Sequence, residues 1–444
     1  MAFSLGPVAS DGSDKKLAAR GSALDHRWNV AQPKAKAKKD LLWTSTTYFG
    51  EGLPWSFLHQ MAAEFLTATG ASNAQVGMTS ALHGAVTLKF LWSPIVDLFG
   101  RKRTWLWMMQ IILGLGMLGV ASVVPSGNLT MFWVALGVLS ILHATHDIAC
   151  DGFYLQALDR AGQALFSGTR IAAFRVATIV GSSALVYLAG KTTWELGFAA
   201  AGGLMVLTAI LNRWVMPHPP ERHPQDAEAT AAHKRPKAFA FLEAYISFLT
   251  QPKAVLVLSF LLLYRIGDIM MFGQSKPFLR DLGVTTSERG ILNGFGITAT
   301  IAGAIVGGMI IARKGLARTL VPIAYLQNLA IPLYILMAVL KPRLPGIFAI
   351  VLTEQFVAGI GTVAFSVFQM QRSRKAFSAA HFAFMTAVVS ASSVVPGIIS
   401  GFISQRVGFP IFFTIAFAAA LPSLVLVHFV PKEPIEADTA PAPA

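Results

Sequence analysis

Five acidic residues, Glu51, Asp147, Asp151, Asp268 and Glu354, stand inside long apolar stretches of this 444-residue sequence, and three cations, Lys89, Arg175 and Arg265, stand there with them. Moving one such charge to the centre of a bilayer costs about 2.5–3.5 kcal/mol, so each is expected to face a partner or a water-filled cavity. Asp147 and Asp151 are four apart and share a helical face. Arg265 and Asp268 are three apart and can pair within one helix. A carboxylate held away from water prefers its neutral form, and a neighbouring cation pulls it back towards the charged one. Groups balanced in this way can bind and release a proton, which makes all five carboxylates candidates for proton coupling. The competing role is static: ion pairs tying helices together, for example Asp147 or Asp151 with Arg175.

Other reactive side chains point to less. Tyr48, Glu51 and Trp55 follow i, i+3, i+7 spacing and share a face, so Tyr48 and Trp55, with Trp92, are candidates to line a substrate cavity; anchoring at the lipid interface is the alternative. His83, His143 and His146 include two that flank Asp147, but no further spacing matches a ligand set, and no metal or cofactor is expected. The single cysteine, Cys150, excludes an intramolecular disulfide. There is no nucleophile elbow, phosphate-binding glycine loop or metal triad, which argues against an enzyme.

The elements that must position these groups are membrane helices. Hydrophobic residues make up 54% of the chain and charged ones 13%, with mean hydropathy +0.57, too little charge to cover a soluble globule of this size. Apolar runs of about 20 residues, the length needed to cross the hydrocarbon core, fall at 41–65, 74–97, 104–125, 130–154, 169–190 and 196–216. They resume at 252–275, 286–312, 318–340, 345–370, 377–402 and 409–430. The runs are too long for barrel strands and lack strict alternation, so helix is the expected state. The fold class is therefore an all-α integral membrane protein of about twelve transmembrane helices in two six-helix halves, 41–216 and 252–430.

Charge distribution orients the chain. Lys and Arg number 26 on the side that holds the N-terminus, against 7 in the opposite loops. That bias places both termini in the cytoplasm, with the bilayer as the protein's main partner. It also explains the net charge of +14 without nucleic acid, since the positive charge lies in short segments between apolar runs. Residues 1–40 are polar and basic, lack the apolar core of a signal peptide, and are expected to form a disordered cytoplasmic tail. Residues 217–251 form a cytoplasmic linker. Leu242, Tyr245, Ile246 and Leu249 within it are spaced for a short interfacial helix. Residues 431–444 form a second cytoplasmic tail.

A weak internal repeat joins the two halves. Ser93-Pro-Ile-Val-Asp97-Leu-Phe-Gly100-Arg101-Lys102-Arg103 follows the second run, and Gly308-Met-Ile-Ile-Ala312-Arg313-Lys314-Gly315-Leu-Ala-Arg318 occupies the matching place after the eighth. Gly, an acid and a tight basic turn make up the loop signature of the major facilitator superfamily. Here Ser93 replaces the usual glycine, Leu98 the usual arginine, and the second copy lacks the acid. By this resemblance Asp97, Gly100, Arg101, Lys102 and Arg103 form a cytoplasmic gate loop.

Further stretches resemble one branch of that superfamily, the AmpG-type muropeptide permeases and their relatives the acetyl-CoA transporters. They are Gly52-Leu53-Pro54, Leu88-Lys89-Phe90-Leu91-Trp92-Ser93-Pro94-Ile95-Val96-Asp97, His146-Asp147-Ile148-Ala149-Cys150-Asp151, Tyr264-Arg265-Ile266-Gly267-Asp268 and Phe377-Ser378-Ala379-Ala380-His381-Phe382-Ala383. The likeness runs in order over roughly residues 41–430. It implies a monomeric secondary transporter in the bacterial inner membrane, driven by protons and carrying a small amphiphilic, muropeptide-like solute by alternating access. A carrier of another cargo, acetyl-CoA-like or a drug for efflux, and a transporter-derived receptor are the alternatives. No soluble module exceeds about 40 residues, which argues against the receptor.

Overall fold

The computed structural model describes residues 34–218, 246–373 and 378–433, and among these there are helices and turns but no strand. Six helical segments make the first half: residues 34–68 (α1), residues 73–98 (α2), Lys102–Ser126 (α3), Leu129–Ala157 (α4), residues 160–191 (α5) and Trp194–Val215 (α6). The second half repeats the plan with Ala254–Asp281 (α7), Thr286–Lys314 (α8), Leu316–Leu340 (α9), Leu344–Gln371 (α10), Ser378–Val407 (α11) and Phe409–Phe429 (α12). Ten described helices are long and apolar enough to cross a membrane. The two that complete the twelve, α1 and α2, depart for visible reasons. The first begins in the charged run Lys34–Asp40, and the second is broken by 3-10 turns at Thr79–Leu82 and Lys89–Leu91 ahead of Pro94.

The helix starts earlier than the tail boundary expected from sequence. Residues 34–40 extend α1 towards the terminus, as their alternating Ala and Lys permit. Asp40 there accepts a hydrogen bond from Trp43 Nε1 at 3.0 Å. Of the expected interfacial helix, Leu242 and Tyr245 lie outside the described residues; Ile246 and Leu249 fall in a short helical turn whose Phe248 is fully buried.

The two halves match in packing as well as in count. The pairs α1–α5 and α3–α6 in the first half correspond to α7–α11 and α9–α12 in the second. The tight turns α2–α3 and α8–α9 correspond too. Gly100 and Gly315 hold φ of +73° and +76°, a left-handed conformation that glycine adopts without cost. The sequence repeat 93–103/308–318 is thus a backbone repeat, although its acidic residue is missing from the second copy.

Small residues let the halves approach at one end. Gly290 and Gly294 of α8 lie against Tyr187 and Ser183 of α5, and Gly77 of α2 lies against Gly397 and Gly401 of α11. All of these sit towards the end remote from Gly100 and Gly315. In the other direction contacts between α5 and α8 and between α2 and α11 thin out, and Leu91, Leu165 and Ile171 are exposed. The halves therefore meet at the far end and part towards the basic end.

Candidate functional site

Helical periodicity gathers the first cluster. Tyr48 and Glu51 project from α1, Lys89 from α2, Asp147, Cys150 and Asp151 from α4, and Arg170 from α5. Lys89 Nζ donates to Asp147 Oδ2 in an ion pair. Arg170 Nη2 lies 3.1 Å from Asp151 Oδ1, which also accepts the Tyr48 hydroxyl at 3.0 Å. The Arg170 guanidinium sits over the Tyr48 and Tyr154 rings, 4.7 and 5.4 Å from their centroids. The Cys150 thiol donates to Glu51 Oε2 at 3.2 Å. The side chains of Lys89 and Asp151 keep 32% and 42% of their exposure, so the cluster opens towards the basic end.

This corrects the expected pairing. Arg175 is not the partner of Asp147 or Asp151; Lys89 and Arg170 are. Five residues, about 1.4 turns, separate Arg170 from Arg175, so the two leave different faces of α5, and it is Arg170 that reaches Asp151 of α4.

In the second half Asp268 of α7 accepts a hydrogen bond from the Gln327 amide of α9. Gln327 in turn accepts the Tyr264 hydroxyl at 2.8 Å. Arg265 lies close enough to act on Asp268 electrostatically, yet the direct bond to Asp268 comes from Gln327 rather than from the expected i, i+3 ion pair. Glu354 of α10 is 4% exposed and accepts from Gln355 Nε2 at 3.0 Å. Its charge and that of Asp268 are near enough to repel.

A third polar group, which the sequence reading missed, closes the far end. Arg289 Nε of α8 donates to Glu64 Oε2 of α1 at 2.7 Å, with 2% and 1% of the two side chains exposed. Asn293 Nδ2 donates to the other Glu64 oxygen at 3.1 Å and to Ser182 O of α5 at 3.1 Å. Arg280 Nη1 of α7 donates to Thr67 O of α1 at 2.8 Å. Lys276 and Arg289, two of the seven Lys and Arg on the side opposite the N-terminus, are buried within helices rather than standing in loops. The signal available was Glu64 itself, an acid one residue inside the edge of the first apolar run.

The remaining candidates fall as follows. Tyr48 is 1% exposed and presents its hydroxyl to Asp151, so it packs the cluster rather than lining an open wall. Trp92 Nε1 donates to Thr145 Oγ1 of α4 at 3.1 Å. Trp55 packs against His59 and Phe174. His83 stacks on His59, ring centroids 3.6 Å apart, and His143 and His146 are buried; among the described residues no group of three or more His, Cys, Asp or Glu could hold a metal. In the gate loop, the Asp97 side chain lies outside those described. Lys102 packs against Gly152 of α4, and Arg103 Nη2 donates to Arg213 O of α6 at 2.6 Å. Arg101 stands at the N-cap position of α3 in an extended conformation, without a side-chain capping bond.

Comparison with known proteins agrees with this architecture. The description of the Major Facilitator Superfamily matches residues 41–380. The chain is 27% identical over 386 residues to the anhydromuropeptide permease of Escherichia coli K12, covering 85% of this chain and 77% of that protein. It is 24% identical over 390 residues to a putative AmpG 4 transporter of Rickettsia conorii, covering 85% and 93%. Among solved structures, a bacterial homologue of the human lysosomal transporter Spinster, in an inward-facing and occupied conformation, superposes with a TM-score of 0.69 at 13% identity, over 90% of this chain and 97% of that one.

Proposed function

This chain belongs to the Major Facilitator Superfamily, and from that premise we propose that it is a proton-coupled transporter of a small amphiphilic solute of the anhydromuropeptide class. Its multi-pass fold and its relatives are those of membrane permeases. The cargo class follows the name of the Escherichia coli relative, and the charge-bearing cavity suits it: an acetylated sugar with peptide carboxylates offers both polar and apolar faces.

One observation carries the coupling: each half holds buried or half-buried carboxylates, Asp147 and Glu51 in one and Asp268 and Glu354 in the other, and three of them meet a group from a different helix, the Lys89 cation, the Cys150 thiol and the Gln327 amide, while Glu354 meets Gln355 of its own helix. A carboxylate so placed can exchange its proton when the surrounding helices part and water enters. With the basic end assigned to the cytoplasm by the excess of Lys and Arg, the shape described is open inwards and shut at the periplasmic side.

Uptake of a radiolabelled anhydromuropeptide into proteoliposomes, with and without an imposed pH gradient, tests the reading. Accumulation only when the gradient is present supports it. Equal uptake in both conditions removes proton coupling, and no uptake of this probe removes the cargo.

A further inference from the structure

The four cations of the cavity region divide into two kinds. Lys89 and Arg170 are each matched by a carboxylate of α4 within their own half. Arg175 of α5 and Arg265 of α7 are not matched in this way. Among the described residues Arg175 has no carboxylate within ion-pair distance; it is exposed, on the stretch of α5 where contact with α8 has lapsed. Arg265 stands at a break in α7, between the helical segments Ala254–Leu263 and Ile266–Asp281. Its Nε is buried and, among the described residues, has no hydrogen-bond partner. Asp268, three residues on and within its electrostatic reach, is taken up by Gln327. The charges of Arg175 and Arg265 are close enough to repel one another across the cleft.

Two guanidinium groups held near each other with a buried donor unused make a costly arrangement, and a bound anion relieves both the repulsion and the unmet donor. We propose that Arg175 and Arg265 form a carboxylate-binding subsite that bridges the two halves and grips the acidic group of the transported solute. Resting on the transport reading above, it narrows the cargo to an anion. It also ties binding to motion, because a carboxylate held by one arginine from each half draws the parted ends together. Protonation of Asp268 would assist, since it removes the carboxylate that competes for Arg265. Proton and anion would then enter together.

The test uses the full chain in lipid nanodiscs with a radiolabelled anhydromuropeptide bearing free carboxylates, and the same molecule with those carboxylates converted to amides. Wild type should bind the acid form at least about tenfold more tightly, the discrimination expected of charge-assisted pairs. Arg175→Gln and Arg265→Gln should each erase that preference while leaving the amide form's affinity nearly unchanged. Equal loss of both forms in the variants, or a preference that survives in them, overturns the subsite. If wild type binds neither form, the cargo reading has failed, and the subsite is judged on the ligand-free protein. There Arg175→Glu should raise the thermal midpoint, because it turns a repulsive pair into an attractive one. A midpoint unchanged or lowered in Arg175→Glu overturns the proposal independently of any ligand.

Discussion

Arg289 of α8 donates Nε–H to the carboxylate of Glu64 in α1 at 2.7 Å, and this ion pair, shut off from solvent, joins the two halves of the molecule. It stands at the end where α5 and α8 are already in glycine-mediated contact. A buried pair contributes less to stability than its Coulomb energy suggests, but removing one partner strands the other and costs about 3–5 kcal/mol. That cost falls on the closed far end alone, because opening lets water reach the surviving charge.

Arg289→Gln is therefore expected to shift the population towards a state open at the far end. Spin labels at positions 69 and 281, both exposed at that end, should report a longer distance by pulsed electron resonance. The native Cys150 is buried and should not compete for label. A distance distribution identical to that of the parent would show that the pair does not hold the gate.

Asp268→Asn keeps the shape of the side chain and imitates its protonated form. Accumulation against a gradient is expected to disappear while counterflow exchange of the same solute persists. Gln327→Ala, which removes the amide bonded to Asp268, should weaken accumulation less. Wild-type accumulation by Asp268→Asn would reduce this residue to a structural partner of Gln327.

Gly303 of α8 faces α10 so closely that an added Cβ would lie 1.9 Å from Phe356 O, and on the opposite wall a Cβ at Gly359 would lie 2.1 Å from Thr300 O. Backbone cannot yield as a flexible side chain can, so the helices would have to separate. Gly303→Ala should destabilise the second half by about 1–3 kcal/mol, the usual range for overpacking, seen as a lower thermal midpoint. Gly203, whose Cβ would meet nothing within 4 Å, provides the control, and an equal loss in Gly203→Ala would refute the close-packing argument.

Both termini and the linker are expected on the cytoplasmic side. Fusions after position 230 and at the C-terminus should light up with a cytoplasmic reporter and stay silent with a periplasmic one. The opposite pattern would invert the gate assignments made for the far and basic ends.

How the chain crosses the membrane was legible in its own residues, because bilayer thickness and the cost of bare backbone in lipid leave helices of about 20 apolar residues as the solution. The repeat around Gly100 and Gly315 was legible for a similar reason: a tight turn needs a residue free to take positive φ, and that need is local. Intramembrane charges could likewise be picked out by type. Their partners could not. Asp147 and Arg175 were compatible by charge, yet Lys89 of α2 holds Asp147, since pairing depends on which faces α2 and α4 turn to each other. Glu64 and Arg289 each lie near the end of an apolar run, where a charge is unremarkable, so the contact that shuts the far end became visible only once α1 and α8 were packed. Spacing describes one helix at a time, whereas a site between two halves is decided by helix rotation and crossing, which depend on side chains far apart in the chain.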